Sequence, residues 1–252
     1  KTIDLHERLV YYSEREELAN RYTHAIGALV SLIGAIALIT LASKQHDSYR
    51  IVSACIYGGS MVTFYCLSTV YHSVRKPYVR YIFRILDHAS IYLMIAGSYT
   101  PFALVTLRGP WGWSLFGTVW GLGTVGAVMK IFTTHRLRYI GPILYIALGW
   151  IVVIALKPLS AALPARGLFL LFAGGVAYTV GVIFYLWDRL PYNHAIWHLI
   201  VLTGSDATSA QFYISDTEPA LEQQSNFEAY SHNLSNRIMK HPNNSCYLCL
   251  EA

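Results

Sequence analysis

Long apolar stretches separated by short polar connectors dominate the chain from about residue 24 to residue 214. Six of them are predominantly apolar and about 20 residues long, the length an α-helix needs to cross a bilayer: 24–43, 51–71, 85–107, 111–132, 139–157 and 166–187. A seventh, 193–214, begins in the same way, but Asp206 lies near its middle, where a carboxylate costs roughly 2.5–3.5 kcal/mol on insertion. The pattern predicts an all-α integral membrane protein, a seven-helix bundle. The seventh helix is the weakest of the seven and is the candidate for an incomplete span.

Composition supports a membrane protein and argues against a large soluble core. Of the 252 residues, 54% are hydrophobic and only 13% are charged, whereas an ordinary soluble domain carries about a quarter charged residues. The first twenty residues are polar, so we expect no signal peptide. The net charge of +5 is spread over short connectors, which favours membrane orientation and predicts no nucleic-acid partner.

The distribution of basic residues predicts the orientation of the helices. If seven spans are assigned, twelve of the nineteen Lys and Arg residues lie on the side of the N-terminus and seven on the other. Cytoplasmic connectors carry the excess of positive charge, so the N-terminus is predicted to be cytoplasmic. The chain then divides into a cytoplasmic segment 1–23, a transmembrane domain 24–214, and a polar tail 215–252 that lacks periodicity and is expected to be disordered.

The cysteines give little indication of function. Cys55 and Cys66 lie in an apolar span, so we interpret them as small core residues. Cys246 and Cys249 have half of a zinc-ribbon spacing, but the second half is missing, so they predict no metal site.

Polar residues converge at one membrane depth. Ser68 and His72 lie at the end of the second span, Asp87 opens the third, and His194 and His198 open the seventh. Because successive spans alternate in direction, all of them are expected one to two helical turns inside the same, cytoplasmic face. Ionisable residues inside a membrane are costly, which makes these five candidates for a functional site.

The spacing of these residues is compatible with a metal. Ser68 and His72, like His194 and His198, are four residues apart and share a helix face. Three imidazole nitrogens are the ligand count of a catalytic zinc site, whose fourth position takes water. Asp87 would serve as base for that water or orient a ligand, and Ser68 would bind the water or a substrate carbonyl. The alternative is that each is simply a polar residue at a membrane boundary.

A second polar cluster precedes the first span. Ser13 and Glu16 fit the capping box S-x-x-E, which predicts the start of a helix. Glu17, Asn20 and His24 then fall on one helix face. This face is either solvated or directed at the metal site.

The combined motifs resemble the haemolysin III family, the bacterial members of the progestin and adiponectin receptor superfamily. The resemblance covers about residues 13–205: E-x-x-N-x-x-x-H in the first helix, S-x-x-x-H in the second, Asp87, "GSYTPF" at 97–102, and H-x-x-x-H in the seventh. It implies a multi-pass protein of the bacterial plasma membrane with an intramembrane zinc. The implied ligands are His72, His194 and His198, with Asp87 and Ser68 beside the bound water.

The resemblance also implies an activity. The superfamily includes proteins similar to alkaline ceramidases, so we expect hydrolysis of lipid amides or esters, with membrane lipids as partners and Asp87 and Ser68 as catalytic residues. The alternative is a non-enzymatic, receptor-like or pore-forming protein with a structural zinc. A transporter is less favoured because no internal repeat is visible. After Gly204 the chain departs from the family pattern, and nothing in it predicts the oligomeric state.

Overall fold

The computed structural model describes residues 9–133 and 139–214. All of these except Ile214 belong to one structural unit, Lys1–Tyr213, and Ile214 begins a second, Ile214–Ala252. The predicted tail 215–252, with its two cysteines, lies outside the described residues.

The described residues form helices and contain no strand. In chain order the α-helices are α1 Glu14–Lys44, α2 Ser48–Ser73, α3 Pro77–Pro101, α4 Pro110–Thr133, α5 Ile140–Gly149, α6 Leu156–Ala162, α7 Ala165–Leu186 and α8, residues 193–214. A π-helical turn, Phe102–Thr106, extends α3, and a 3-10 segment, Trp150–Ala155, joins α5 to α6. The fifth predicted span is therefore a composite of α5, the 3-10 segment and α6.

Six of the described segments are long and apolar enough to cross a membrane: Glu14–Lys44, Ser48–Ser73, Pro77–Thr106, Pro110–Thr133, Ile140–Ala162 and Ala165–Leu186. They coincide with the six strongest predicted spans, which confirms the all-α membrane fold. Helix α8 is not among the six. Its inner face is buried at Val201 and Ser205, while Asp206 is exposed on the outer face.

The start of α1 is fixed by local hydrogen bonds. The Ser13 hydroxyl accepts a bond from the Glu16 N–H at 3.3 Å, and the Glu16 carboxylate accepts one from the Ser13 N–H at 3.1 Å. These bonds satisfy two of the backbone donors that a helix start leaves unpaired. The predicted capping box is confirmed, and α1 continues unbroken past residue 24, where the first apolar stretch begins.

Helix α8 is held in the bundle by hydroxyl groups. The Ser205 hydroxyl donates to the Val201 carbonyl at 3.0 Å, so it accepts from Tyr65 at 2.9 Å and from Tyr178 at 3.1 Å. The Tyr57 hydroxyl donates to the Ser205 carbonyl at 3.1 Å. One serine thereby joins α8 to α2 and α7.

The prediction for the two cysteines of α2 is wrong. Cys55 and Cys66 are both exposed rather than buried in the core. In a spanning helix the residues that face lipid are as apolar as those that face the interior, so an apolar neighbourhood in the sequence does not distinguish the two faces.

The "GSYTPF" segment marks the place where α3 approaches α2 and changes its helical geometry. A Cβ atom on Gly97 would lie 2.2 Å from the Ser60 Oγ, so only glycine allows this approach. Pro101 lacks an N–H group, and the π-helical turn follows it directly, with the Leu107 N–H bonded to the Phe102 carbonyl at 2.8 Å. The proline thus marks a change in the helical geometry of the third span.

Tyr99, in the same segment, forms hydrogen bonds with the fifth span at the point where its α-helix is interrupted. Its hydroxyl lies 2.5 Å from the Gly149 carbonyl oxygen and 3.2 Å from that of Leu148, and it accepts a bond from the Val152 N–H at 2.9 Å. Unpaired backbone groups are costly in lipid. The tyrosine supplies partners where α5 gives way to the 3-10 segment.

Candidate metal centre

Three buried histidines meet at one end of the bundle. His72 lies in the last turn of α2, and His194 and His198 lie in the first turns of α8. Each offers one ring nitrogen, and these atoms all lie within 4.8 Å of one another. The structure thus brings together the three residues that the sequence predicts as metal ligands.

His72 is bonded on one side of its ring. Its Nδ1 lies 2.7 Å from the Glu17 Oε2 of α1. An ionised carboxylate only accepts hydrogen bonds, so Nδ1 carries the proton. The Nε2 of His72 is buried and has no hydrogen-bond partner among the described residues. It is therefore the atom available to a metal.

Glu17 is itself held by Arg80 of α3, whose guanidinium makes a short contact with the Glu17 Oε1. Arg80 also donates to the Val10 carbonyl at 3.2 Å and lies 5.0 Å from the centre of the Tyr71 ring. A charge-assisted pair with a second contact restricts the rotamer of the carboxylate. Glu17 is thereby fixed between α2 and α3.

His198 is bonded to α1 in a similar way. Its Nδ1 lies 3.0 Å from the Thr23 Oγ1. The single Thr23 hydroxyl proton is directed at the carbonyl oxygens of Ala19 and Asn20, at 2.9 and 3.0 Å. With its proton on either carbonyl, the hydroxyl accepts from His198, which places the ring proton on Nδ1. The Nε2 of His198 is buried without a partner among the described residues.

His194 is held by ring contacts. Both of its nitrogens are buried and lack hydrogen-bond partners in the described part of the chain. Tyr12 stacks on it with ring centroids 5.1 Å apart, and Trp197 lies at 5.2 Å. Burial raises the pKa of Tyr12 well above its usual value, so this covering ring stays a neutral phenol.

The polar face of α1 is directed at the site. Asn20 and His24 are 0% and 1% exposed, which excludes the interpretation of a solvated face. The His24 ring stacks on His198 with centroids 3.5 Å apart. The amide of Asn20 and both His24 nitrogens have no hydrogen-bond partner among the described residues.

Asp87 and Ser68 lie beside the histidines rather than among them. Asp87 is buried, and its Oδ2 is 3.5 Å from the Nδ1 of His88. It lines a cavity of about 20 Å³ together with His194, which is room for about one water. Ser68 is fully buried one turn before His72, near the Asp87 carboxyl but without hydrogen-bond geometry.

An apolar cavity of about 120 Å³ adjoins this small one. It extends between α3, α5, α7 and α8 and is lined by residues such as Met94, Phe102 and Phe172. The two cavities share four lining residues, Ile91, Tyr145, Val182 and Trp197. A small cavity lined by Asp87 and His194 therefore adjoins a larger apolar one.

The donor set fits a metal ion. Unpaired polar atoms are rarely buried without a reason, yet here unpaired ring nitrogens of three histidines converge. Imidazole nitrogen suits zinc, and the second nitrogen of a metal-bound histidine is almost always bonded to a neighbouring acceptor. His72 and His198 meet that condition through Glu17 and Thr23.

Three contributors to the site were missed by the sequence analysis: Tyr12, Thr23 and Arg80. Thr23 is adjacent to His24 in a helix, and no spacing rule distinguishes it from a structural threonine. Arg80 is one of several basic residues that follow the second span, and nothing in the sequence distinguishes it from the others. Tyr12 precedes the capping box, where no motif marks it.

Comparison with known proteins finds relatives of the region of the chain that contains the candidate metal centre. A family model described as "Haemolysin-III related" matches residues 12–207. The chain is 49% identical over 191 residues to "Hemolysin-3" of Bacillus cereus, covering 76% of this chain and 87% of that protein. It is 44% identical over 196 residues to "Hemolysin-3 homolog" of Bacillus subtilis (strain 168), covering 78% and 92%.

A more distant relative is human. "Monocyte to macrophage differentiation factor" of Homo sapiens is 29% identical over 196 residues, covering 75% of this chain and 80% of that protein. The region matched by the family model, residues 12–207, contains Tyr12, Glu17, Thr23 and the three histidines of the candidate metal centre.

Proposed function

The chain belongs to the haemolysin III family, and we propose that it is a zinc-dependent membrane hydrolase that acts on lipid amides or esters. It is a multi-pass protein of the cell membrane. The observation that carries the proposal is the triad of His72, His194 and His198, whose ring nitrogens lie within 4.8 Å of one another beside a buried carboxyl group.

Asp87 and Ser68 have the chemical roles that hydrolysis requires. The chemistry that zinc supplies in such sites is activation of a water and polarisation of a carbonyl. Asp87 takes the proton of the attacking water and returns it to the leaving group. Ser68, near the Asp87 carboxyl, orients the water or the substrate carbonyl. Tyr12 and the α1 face exclude bulk water on the side of the predicted cytoplasm.

The neighbouring cavities suit an amphiphilic substrate. The carbonyl would lie in the small cavity beside Asp87 and His194, and the hydrocarbon chain would occupy the apolar cavity of about 120 Å³. Apolar pockets with a few convergent polar groups are typical of ligand sites. A lipid reaches both by moving sideways between helices.

A cytolytic or receptor-like membrane protein with a structural metal is the second candidate. The name "Hemolysin-3" of the Bacillus cereus relative favours it, as does the covering of His194 by Tyr12. In that case the metal would only join the ends of α2 and α8, and Asp87 would have no chemical role.

Metal content is the first test. Purified protein is expected to contain about one zinc per chain by mass spectrometry, and the double variant His194→Ala/His198→Ala is expected to contain none. His46→Asn is the matched control, because His46 lies in the connector at the opposite end of α1 and its φ of 53° suits asparagine. A folded wild-type protein without metal contradicts the proposal.

Lipid turnover separates the two candidates. Asp87→Asn is expected to retain zinc and lose hydrolysis of a panel of lipid amides and esters by at least about 100-fold. Asp206→Asn is the control, because it makes the same change in an exposed carboxylate of α8. Equal turnover in both variants, or no turnover by the zinc-loaded wild type, favours the structural metal.

A further inference from the structure

We propose that helix α1 sets the tautomers of two metal ligands, with Glu17 as the positioning residue of His72 and Thr23 as that of His198. Both contacts cross between helices, over 55 positions for Glu17 and His72 and over 175 for Thr23 and His198. Both place the proton on Nδ1 and direct an unprotonated Nε2 inward. The inference rests on the metal site of the proposed function, but its geometry exists without the ion.

The first of the two contacts joins the Glu17 Oε2 to the His72 Nδ1 at 2.7 Å. The carboxylate has no proton to donate, so it stabilises only the tautomer with hydrogen on Nδ1. Arg80 holds the other carboxylate oxygen and is itself only 5% exposed. The position of the His72 ring is thus determined from α1 and, through Arg80, from α3.

The second contact joins the Thr23 Oγ1 to the His198 Nδ1 at 3.0 Å. A hydroxyl carries one proton, and that of Thr23 is directed back along its own helix at two carbonyl oxygens. With the proton on either carbonyl, a lone pair of the hydroxyl faces His198 and stabilises the same tautomer. The stacking of His24 on the His198 ring holds the plane of the imidazole.

A neutral imidazole binds a metal only through the nitrogen that carries no proton. With both tautomers preset, the ion meets two directed donors and none of its binding free energy is used to move a proton between ring nitrogens. Helix α1 contributes no ligand of its own to the triad. It acts on the metal through the rings that it orients.

The chain offers matched controls for both residues. Thr23→Val is compared with Thr40→Val, since Thr40 lies exposed on the same helix and its hydroxyl bonds only the Ile36 carbonyl among the described residues, at 2.7 Å. Glu17→Met is compared with Glu14→Met, because the Glu14 side chain is 92% exposed. Thr23→Ser and Glu17→Gln each keep an acceptor oxygen and serve as rescue variants.

Two readouts are measured on full-length protein in detergent. Nitrogen NMR of labelled histidines in the metal-free protein reports the tautomers of His72 and His198. Competition with a chelator of known affinity reports the dissociation constant for zinc. We expect Nδ1–H tautomers in the wild type, loss of one of them in each test variant, and a weakening of zinc binding by about 10–100-fold, with both effects largely restored in the rescue variants.

The outcomes distinguish this inference from the proposed function. Tautomers and zinc affinities that match the Thr40 and Glu14 controls overturn the inference, even when the wild type binds zinc. A wild type that binds no zinc but shows both Nδ1–H tautomers, with their loss in the variants, overturns the proposed function and supports the orienting role of α1. If Glu17→Met fails to fold because Arg80 has lost its carboxylate partner, the tautomer and zinc affinity of Thr23→Val alone test the inference.

Discussion

His24 lies flat against His198, with ring centroids 3.5 Å apart and ring planes inclined by 27°. His24 also meets Phe64 and Tyr65 edge-on, at 5.4 and 5.1 Å. Its nitrogens have no hydrogen-bond partner within the described residues. The ring is therefore held by aromatic packing beside the triad.

Replacement of His24 by phenylalanine is expected to stabilise the metal-free protein. The stacking is kept, and two buried polar atoms that have no partner are removed, which is worth roughly 1–3 kcal/mol. His24→Ala, which loses the packing, is expected to cost roughly 3 kcal/mol. Thermal unfolding in detergent measures both. A His24→Phe variant less stable than wild type would mean that the ring nitrogens bind a buried molecule.

Gly27→Ala is expected to destabilise the protein by roughly 1–3 kcal/mol. A Cβ at this position would lie 2.7 Å from the ring of Tyr65, which is fully buried. Gly34→Ala on the same helix is the control, because a Cβ there meets nothing within 4 Å in the described structure. The two variants are compared by the midpoint of unfolding. Equal midpoints would show that Tyr65 can move at little cost.

Ser205→Ala tests what holds α8 in the bundle. Removal of the hydroxyl leaves Tyr65 and Tyr178 without the acceptor that they share, and each buried unpaired hydroxyl costs roughly 1–3 kcal/mol. Thr203→Ala is the control, since the exposed Thr203 hydroxyl bonds the Leu199 carbonyl of its own helix. The triple variant Tyr65→Phe/Tyr178→Phe/Ser205→Ala is expected to regain most of the loss. Failure to regain it would assign the stability to packing instead.

The connector between α1 and α2 is expected to make stability depend on pH. Burial raises the pKa of Asp47, but its bond from the Tyr49 N–H and the contacts of Arg108 at 2.7 and 2.8 Å outweigh burial and hold the pKa below the usual 3.8. A lowered folded-state pKa stabilises the protein above the unfolded-state pKa, and this contribution is lost as the pH falls through the folded-state value.

Asp47→Asn isolates this contribution, because asparagine still caps α2. At pH 7 the variant is expected to be less stable than wild type by less than about 1 kcal/mol, since Arg108 is half exposed. The difference should shrink from about pH 5 downward and vanish near pH 2. It should be reduced when both proteins carry Arg108→Gln, with a remainder from the Tyr49 N–H bond and from Arg50. A difference that stays constant with pH contradicts the assignment.

The sequence alone predicts the triad because depth along a helix can be counted. His72 ends one span, while His194 and His198 begin another, and spans of known direction place their ends at a known face. The capping box likewise fixes the rotational phase of α1, which relates Glu17, Asn20 and His24 to one another. These relationships depend only on helical geometry.

Rotation of one helix against another is what the sequence leaves open. Thr23 meets His198 across 175 positions, and this contact depends on how α1 turns relative to α8. In water the apolar face of a helix indicates its inner side, but in lipid both sides are apolar. The same ambiguity explains why an apolar neighbourhood predicts a core position for Cys55 and Cys66, although both are exposed.

The hydroxyl of Tyr99 makes the length of the fifth span depend on the third. Six residues in 3-10 geometry extend about 3 Å further than the same residues in an α-helix, because the rise per residue is about 2.0 Å instead of 1.5 Å. That extended form needs Tyr99 as partner for Gly149 and Val152. Loss of that hydroxyl would leave the Gly149 carbonyl and the Val152 N–H without this partner, which favours the shorter α-helical form. One phenol on α3 thereby helps to set the membrane thickness that the fifth span matches.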